Sequence, residues 1–255
     1  MSAFLRCLSA ELLKTKRTIY LLGVILMPTI LSLFNFLLLL GLREKEGYYA
    51  VAQGWVRFEH NTITFWGLLV FPCVIVLVAA FVAHQEHDTA HWRQLMCLPL
   101  PKASLYLAKL TLVLGLLLLS CLVLWLENIV WGTLLSLARP EVGLSLARIT
   151  LWKMLLPYLW EFLFSLLIIA VHFGFSLRVQ NFVLSIGLGF ALVLAGAFLH
   201  EVAFWKIAFP WALPSLAFSA EGWAEGGPGL AYSILGFLLL VYVGCRDFVR
   251  RDVLS

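Results

Sequence analysis

Residues 84–109 read HQEHDTAHWRQLMCLPLPKASLYLAK, a polar island in an otherwise apolar chain. His84, His87 and His91 are spaced i, i+3, i+7, so a helix would set them on one face beside Glu86 and Asp88, a donor set suited to zinc or copper. A competing reading starts a short helix at Asp88 as N-cap. Trp92, Leu95 and Met96 then fall at i, i+3, i+4 and form an apolar face opposite His87, His91 and Gln94. That start leaves His84 and His87 outside the helix, so no metal is expected. Leu98-Pro99 and Leu100-Pro101 stop the helix, because a residue preceding proline is pushed out of the helical region, and Pro101 suits the first turn of the next helix.

The second candidate is Glu161, an acid in the apolar run from Leu151 to Phe173. An ionised carboxylate inside hydrocarbon costs ~2.5–3.5 kcal/mol and needs a partner, a wet cavity or a proton. Deep in a span, Glu161 would line a transport path; if the span starts later, it would lie among the outer headgroups. Other chemistry is missing. There is no G-x-x-x-x-G-K-[ST], and no Gly is followed by Lys, so this chain is not an ATPase; neither H-E-x-x-H nor G-x-S-x-G occurs. Cys7, Cys73, Cys97, Cys121 and Cys245 are scattered without C-x-x-C spacing, which argues against a disulfide framework and a zinc ribbon.

The elements that must position these residues are set by composition. Of 255 residues 62% are hydrophobic and 13% charged, with mean hydropathy +0.97, whereas a soluble domain carries about 25% charged residues. The chain is therefore expected to be an all-α integral membrane protein. Six apolar runs reach the length of a span: 19–41, 63–83, 105–126, 154–173, 182–200 and 229–245. Residues 1–18 form a surface helix, with Met1, Phe4, Leu5, Leu8 and Leu12 on one arc and Arg6, Lys14 and Arg17 opposite. Loop 42–62 carries Tyr48, Tyr49 and Trp55, suited to an interface belt. In the fifth run Ser185 and Gly189 make a small-xxx-small pair that permits close helix approach. Residues 201–228, broken by Pro210 and Pro214 and ringed by Trp205, Trp211 and Trp223, read as short helices dipping into the outer leaflet.

The acid, the short Trp-Arg helix, the Leu-Pro corner and the lysines after it are carried by Glu86, Trp92, Arg93, Leu95, Leu98, Pro99, Lys102 and Lys109. They resemble the first cytoplasmic loop of permease subunits of the type-2 ATP-binding-cassette exporters, the family of bacteriocin-immunity and bacitracin-resistance permeases. Glu11-Leu12-Leu13-Lys14 and Lys16-Arg17 resemble the entry segment of the same permeases. Family loops often carry Gly-Thr after the acid, where this chain has Asp88-Thr89.

The resemblance implies one transmembrane domain over 1–255, with an interfacial helix at 1–18, a cytoplasmic coupling loop at 84–104 and an outer re-entrant segment at 201–228. It implies that Glu86, His87, Asp88, Trp92, Arg93, Leu95 and Pro99 couple the permease to ATP-binding ATPase subunits. Glu86 and Arg93 would supply charged contacts there, around Trp92 as an apolar anchor. ATP and Mg would be bound by those ATPase subunits, with no cofactor on this chain. A second permease subunit, as a homo- or heterodimer, and membrane lipid complete the expected partners, and the implied activity is export of an amphipathic substrate such as a peptide antibiotic. Two other classes remain open, a metal-dependent intramembrane enzyme and a non-transporting membrane assembly factor.

Charge sets the expected orientation. With both termini cytoplasmic at the inner (plasma) membrane, 11 of the 18 basic residues lie inside and they flank spans rather than forming a nucleic-acid patch, so no nucleic acid is expected. Single cysteines introduced into a cysteine-free background should then be labelled from outside at Gln53 or Glu225 and from inside at Gln94; reversed labelling would overturn the orientation.

Overall fold

Apolar run length and proline placement set where the helices begin and end. The computed structural model describes residues 3–15, 18–41, 54–85, 101–140, 151–218 and 223–250, which are helical almost throughout and contain no strand. In chain order these are α1 (Ala3–Thr15), α2 (Ile19–Gly41), α3 (Gly54–Phe65), a π-helical turn (Trp66–Val70) and α4 (Phe71–His84). Then come α5 (Lys102–Ala138), α6 (Leu151–Phe164), α7 (Leu166–Arg178), α8 (Phe182–Leu199), α9 (Ala203–Ala208), a 3-10 helix (Pro210–Phe218) and α10 (Trp223–Arg250). Among the described residues, five stretches are long and apolar enough to cross a bilayer: Tyr20–Gly41, Phe58–His84, Lys102–Ala138, Phe182–Leu199 and Gly226–Arg250. Helices α6 and α7 reach that length and hydropathy only when taken together, and they are bent by 44° at their junction. The chain is an all-α integral membrane protein.

Several boundaries differ from those read off hydropathy. Loop 42–62 is shorter than expected, because helix begins at Gly54 and runs through the π turn into α4. Trp55 is buried against Phe58 and Leu39 instead of lying in an interface belt. The third span extends to Ala138, well beyond residue 126. Pro101 has extended backbone (φ −61°, ψ 121°) and caps α5 from outside its first turn. The link between the fourth and fifth spans shrinks to residues 179–181, where the Asn181 side chain accepts a hydrogen bond from Leu184 N at 3.1 Å and so caps α8.

The fourth span is broken for a visible reason. The Ser233 hydroxyl of α10 enters the break, donating towards the carbonyls of Leu163 and Phe164 at 2.9 Å and accepting from Leu167 N at 3.3 Å. Ser165 Oγ donates to the carbonyl of Glu161 at 2.8 Å. A helix interrupted at membrane depth must have its freed backbone groups answered by neighbouring side chains, and two serines do this here.

Packing closes around α4 and α5. Helix α5 lies against α2 and α1, α4 against α7 and α8, and α10 against α7. The small residues of α8 serve this packing within the subunit. A Cβ on Gly189 would stand 2.5 Å from the Val76 side chain and 2.6 Å from the His172 ring, and the Ser185 and Ser176 hydroxyls meet at 2.8 Å. Gly196 takes the backbone of Trp211, so the 3-10 helix tucks into the bundle with 211–216 buried. The expected re-entrant segment is thus a short α-helix followed by a 3-10 helix that is mostly interior.

Helix ends fall on two faces. One, the α1 face, collects α1, the start of α2, His84, Lys102, Arg178 and the end of α10, as shown by contacts such as Gln85 to Tyr20 and Lys102 to Val249. The far face joins α2 to α5 through Arg139 Nη1, which donates to Leu39 O at 3.2 Å.

Gly196 and Gly187 give a paired test. A Cβ on Gly196 would lie 2.7 Å from the Trp211 carbonyl oxygen, part of a backbone that cannot swing aside, whereas one on Gly187 meets nothing within 4 Å. Overpacking of this kind costs ~1–3 kcal/mol. Gly196→Val should lower the melting temperature of the purified protein and Gly187→Val should leave it nearly unchanged; equal effects would contradict this packing.

Candidate functional site

Two polar constellations stand out, one at each end of the bundle. On the α1 face, helix α1 turns Cys7, Glu11 and Thr15 inward at i, i+4, i+8, while Leu5, Leu12 and Leu13 point outward. The apolar arc thus faces away from the protein, and the inward stripe carries an acid. Glu11 meets Lys109 Nζ at 3.0 Å, with both side chains almost fully buried, and Lys14 Nζ at 2.8 Å. Burial alone would raise the Glu11 carboxyl, but Lys109 and then Lys14 outweigh it, so the carboxyl titrates below the usual carboxylate range. Lys109 lies two turns into α5, and the same junction continues through Tyr20, whose hydroxyl donates to Thr15 Oγ1 at 3.1 Å and accepts from Gln85 Nε2 at 3.2 Å.

These contacts anchor the 86–100 loop. Its entering stem, at Gln85, is tied to the α1–α2 junction, and its leaving stem, at Lys102, donates to Val249 O of α10 at 3.4 Å. Glu86, His87, Asp88, Trp92, Arg93, Leu95 and Pro99, all expected to couple to a partner, lie outside the described residues, as do His91 and the expected cap at Asp88. His84 ends α4; its Nδ1–H donates to Ala80 O at 2.9 Å and its ring packs on Phe182. Among the described residues no group of three or more His, Cys, Asp or Glu side chains could hold a metal.

The second constellation surrounds Glu161, in the last turn of α6. The residue is fully buried, which places its side chain inside the bundle. Counting ~1.5 Å per residue, it lies at most about 25 Å from Arg178, in the half of the bundle farther from α1. Neither carboxylate oxygen has a hydrogen-bond partner among the described residues. Tyr158, one turn earlier on the same inward stripe, hydrogen-bonds Asn128 of α5 and lies within electrostatic reach of Glu59 of α3, Glu161 and Cys121. Glu59 Oε1 and Asn128 Oδ1 are also buried without partners among the described residues. The π turn at Trp66–Val70 carries Trp66, which is fully buried in the same core cluster as Cys121; such turns insert an extra residue and occur often at functional sites. Charge on these acids, when present, must be met by something entering the bundle: water, a proton or a cationic group.

Sequence reasoning locates Glu161 but misses its neighbours. Glu59 falls within the expected loop 42–62, and Asn128 and Tyr158 pass for ordinary polar punctuation of apolar helices. The i, i+3 spacing of Tyr158 and Glu161 is the available signal. The Glu11–Lys109 pair joins residues 98 positions apart and leaves none.

A family model described as ABC-2 family transporter protein matches residues 7–196, from α1 through most of α8. The chain belongs to the ABC-2 transporter family. No curated protein and no solved structure gives a match. As an ABC-2 permease it is a membrane component of an ABC transporter, and the family implies association with ABC ATPase subunits. The α1 face of the permease holds the stems of the loop that carries the resemblance to that family, while α9, the 3-10 helix and α10 lie beyond the matched region.

The buried pair yields a stability test. Removing one member of a buried ion pair costs ~3–5 kcal/mol, because the other charge stays buried and unanswered. Lys109→Met should strongly lower the melting temperature of the permease, and Glu11→Leu with Lys109→Met should recover much of the loss. The folded Glu11 carboxyl titrates below its unfolded value, so its contribution is full above the ordinary carboxylate pKa and is lost as pH falls through the folded value. The wild type should therefore lose stability on acidification more steeply than the double variant, as read by melting curves across pH.

Proposed function

We propose that the permease, paired with a second permease subunit and two ATP-binding subunits, exports an amphipathic substrate such as a peptide antibiotic across the inner (plasma) membrane, with both termini and the 86–100 loop cytoplasmic. ATP and Mg are bound by the partner subunits, and the substrate path runs past Glu161. The observation that carries this reading is the family match over residues 7–196, supported by the ties of Gln85 to Tyr20 and of Lys102 to Val249 on either side of the loop.

The mechanism rests on rigidity. Closure of the ATP-binding subunits presses on the short helix that carries Trp92, and Glu86 and Arg93 hold it in their groove. Pro99 and Pro101 stiffen the corner into α5, a helix of 37 residues. A push at Lys102 is transmitted along α5, carrying α1 through the Lys109–Glu11 pair, and emerges at Asn128, which holds Tyr158. Tyr158 and Glu161 ride on α6, and the break at Ser165 supplies the hinge that lets α6 tilt against α7. The differential contact that drives the shift is docking of the loop in the closed ATP-binding pair.

The test is reconstitution of the complete transporter with its ATP-binding subunit in vesicles. Trp92→Ala, or Glu86→Ala with Arg93→Ala, should weaken co-purification of that subunit and uncouple ATP turnover while membrane insertion is unchanged. Glu161→Gln keeps shape and hydrogen bonding but removes charge, so the complex should assemble and hydrolyse ATP with reduced export. Undiminished docking and turnover in the loop variants would refute the coupling role, and undiminished export by Glu161→Gln would remove that residue from the path.

A further inference from the structure

On the α1 face, α5, α7 and α10 enclose an open apolar groove of about 270 Å³. Tyr106, Val171, Gly174, Leu240, Val243 and Gly244 form its walls. Its mouth is charged: Arg178 Nη2 and Asp247 Oδ2 meet at 3.3 Å, with side chains 57% and 40% exposed. From Arg178 the groove runs back to Ala170, which at ~1.5 Å per helical residue is about 12 Å along α7. Glycine makes the space, since a Cβ on Gly174 would meet nothing within 4 Å.

An apolar groove of this kind, opening from the side of a membrane span, forfeits dispersion contacts if left empty and is not a place for water. Its occupant is chosen by the mouth. One cation and one anion stand side by side, both half-exposed, so the rim is complementary to a zwitterion. A phosphate can accept from the Arg178 guanidinium, and a primary ammonium can donate to the Asp247 carboxylate, each a charge-assisted hydrogen bond. A headgroup carrying phosphate alone would set its charge beside Asp247 unanswered, and a quaternary ammonium has no N–H to donate. We propose that this groove binds one acyl chain of a phospholipid with an ethanolamine headgroup, its phosphate on Arg178 and its ammonium on Asp247.

The experiment uses the purified transporter in neutral detergent, incubated with equal amounts of palmitoyl-oleoyl phosphatidylethanolamine, phosphatidylcholine and phosphatidylglycerol, with retained lipid read by native mass spectrometry. The wild type should retain phosphatidylethanolamine over the other two. Gly174→Leu fills the groove without touching its walls at Cβ and should lose retention of all three; Asp247→Asn should erase the preference for ethanolamine over choline. Equal retention of the three lipids by the wild type, or full phosphatidylethanolamine retention by Gly174→Leu, would overturn the assignment. If Gly174→Leu instead separates two permease copies with lipid retention unchanged, the groove is a subunit seam and the lipid site falls. Should Gly174→Leu fail to fold, the Asp247→Asn comparison decides alone.

Discussion

Hydrocarbon offers no hydrogen bonds, so every polar group that enters a membrane bundle must be answered from within it, and the architecture of this permease depends on how that is done. Lys109, fully buried near the start of α5, is answered by Glu11 from α1, and this pair fixes the surface helix to the bundle. Ser120 of α5 donates to the Val24 carbonyl of α2 at 2.8 Å, Asn35 of α2 donates to Thr62 of α3 at 2.8 Å, and Glu127 accepts from Thr29 and Ser32. Each is a specific tie between helices, set among nonpolar contacts that tolerate sliding. The break in the fourth span obeys the same requirement, with Ser165 and Ser233 taking up the backbone groups that the helix releases.

The unanswered acids are informative for the same reason. Glu161 and Glu59 sit where partners are expected and, among the described residues, have none for the oxygens named above. Burying an acid among apolar helices costs free energy unless it is protonated or met by a partner. Their neighbours Tyr158 and Asn128 belong to two different helices, so relative motion of α5 and α6 changes the environment of Glu161 directly.

The two ends of the permease are thus connected by covalent stiffness and not by a relay of weak contacts. One long helix carries Lys109 near one end and Asn128 near the other, while the loop before it is held at both stems. Lipid enters the same logic on the outside. The apolar faces of α2 and α10 are exposed, and the α7–α10 groove carries the Arg178–Asp247 pair at its rim.

The all-α membrane architecture, the broken segment near residues 201–228 and the family were all legible in the sequence. Each is written in contiguous runs whose length or period is set by the bilayer and the helix repeat, or in a local loop motif. Glu161 was legible as an acid in an apolar run, though not its depth. The facing of α1 was decided only by tertiary structure, because an amphipathic arc states which side is apolar and not which side meets the protein. The start of α3 at Gly54, the break at Ser165 and the gathering of Glu59, Asn128, Tyr158 and Glu161 were likewise settled in three dimensions. In all of them the deciding partner lies on another helix, far away in sequence, and hydropathy sums over neighbours along the chain while hydrogen bonds and charges act through space.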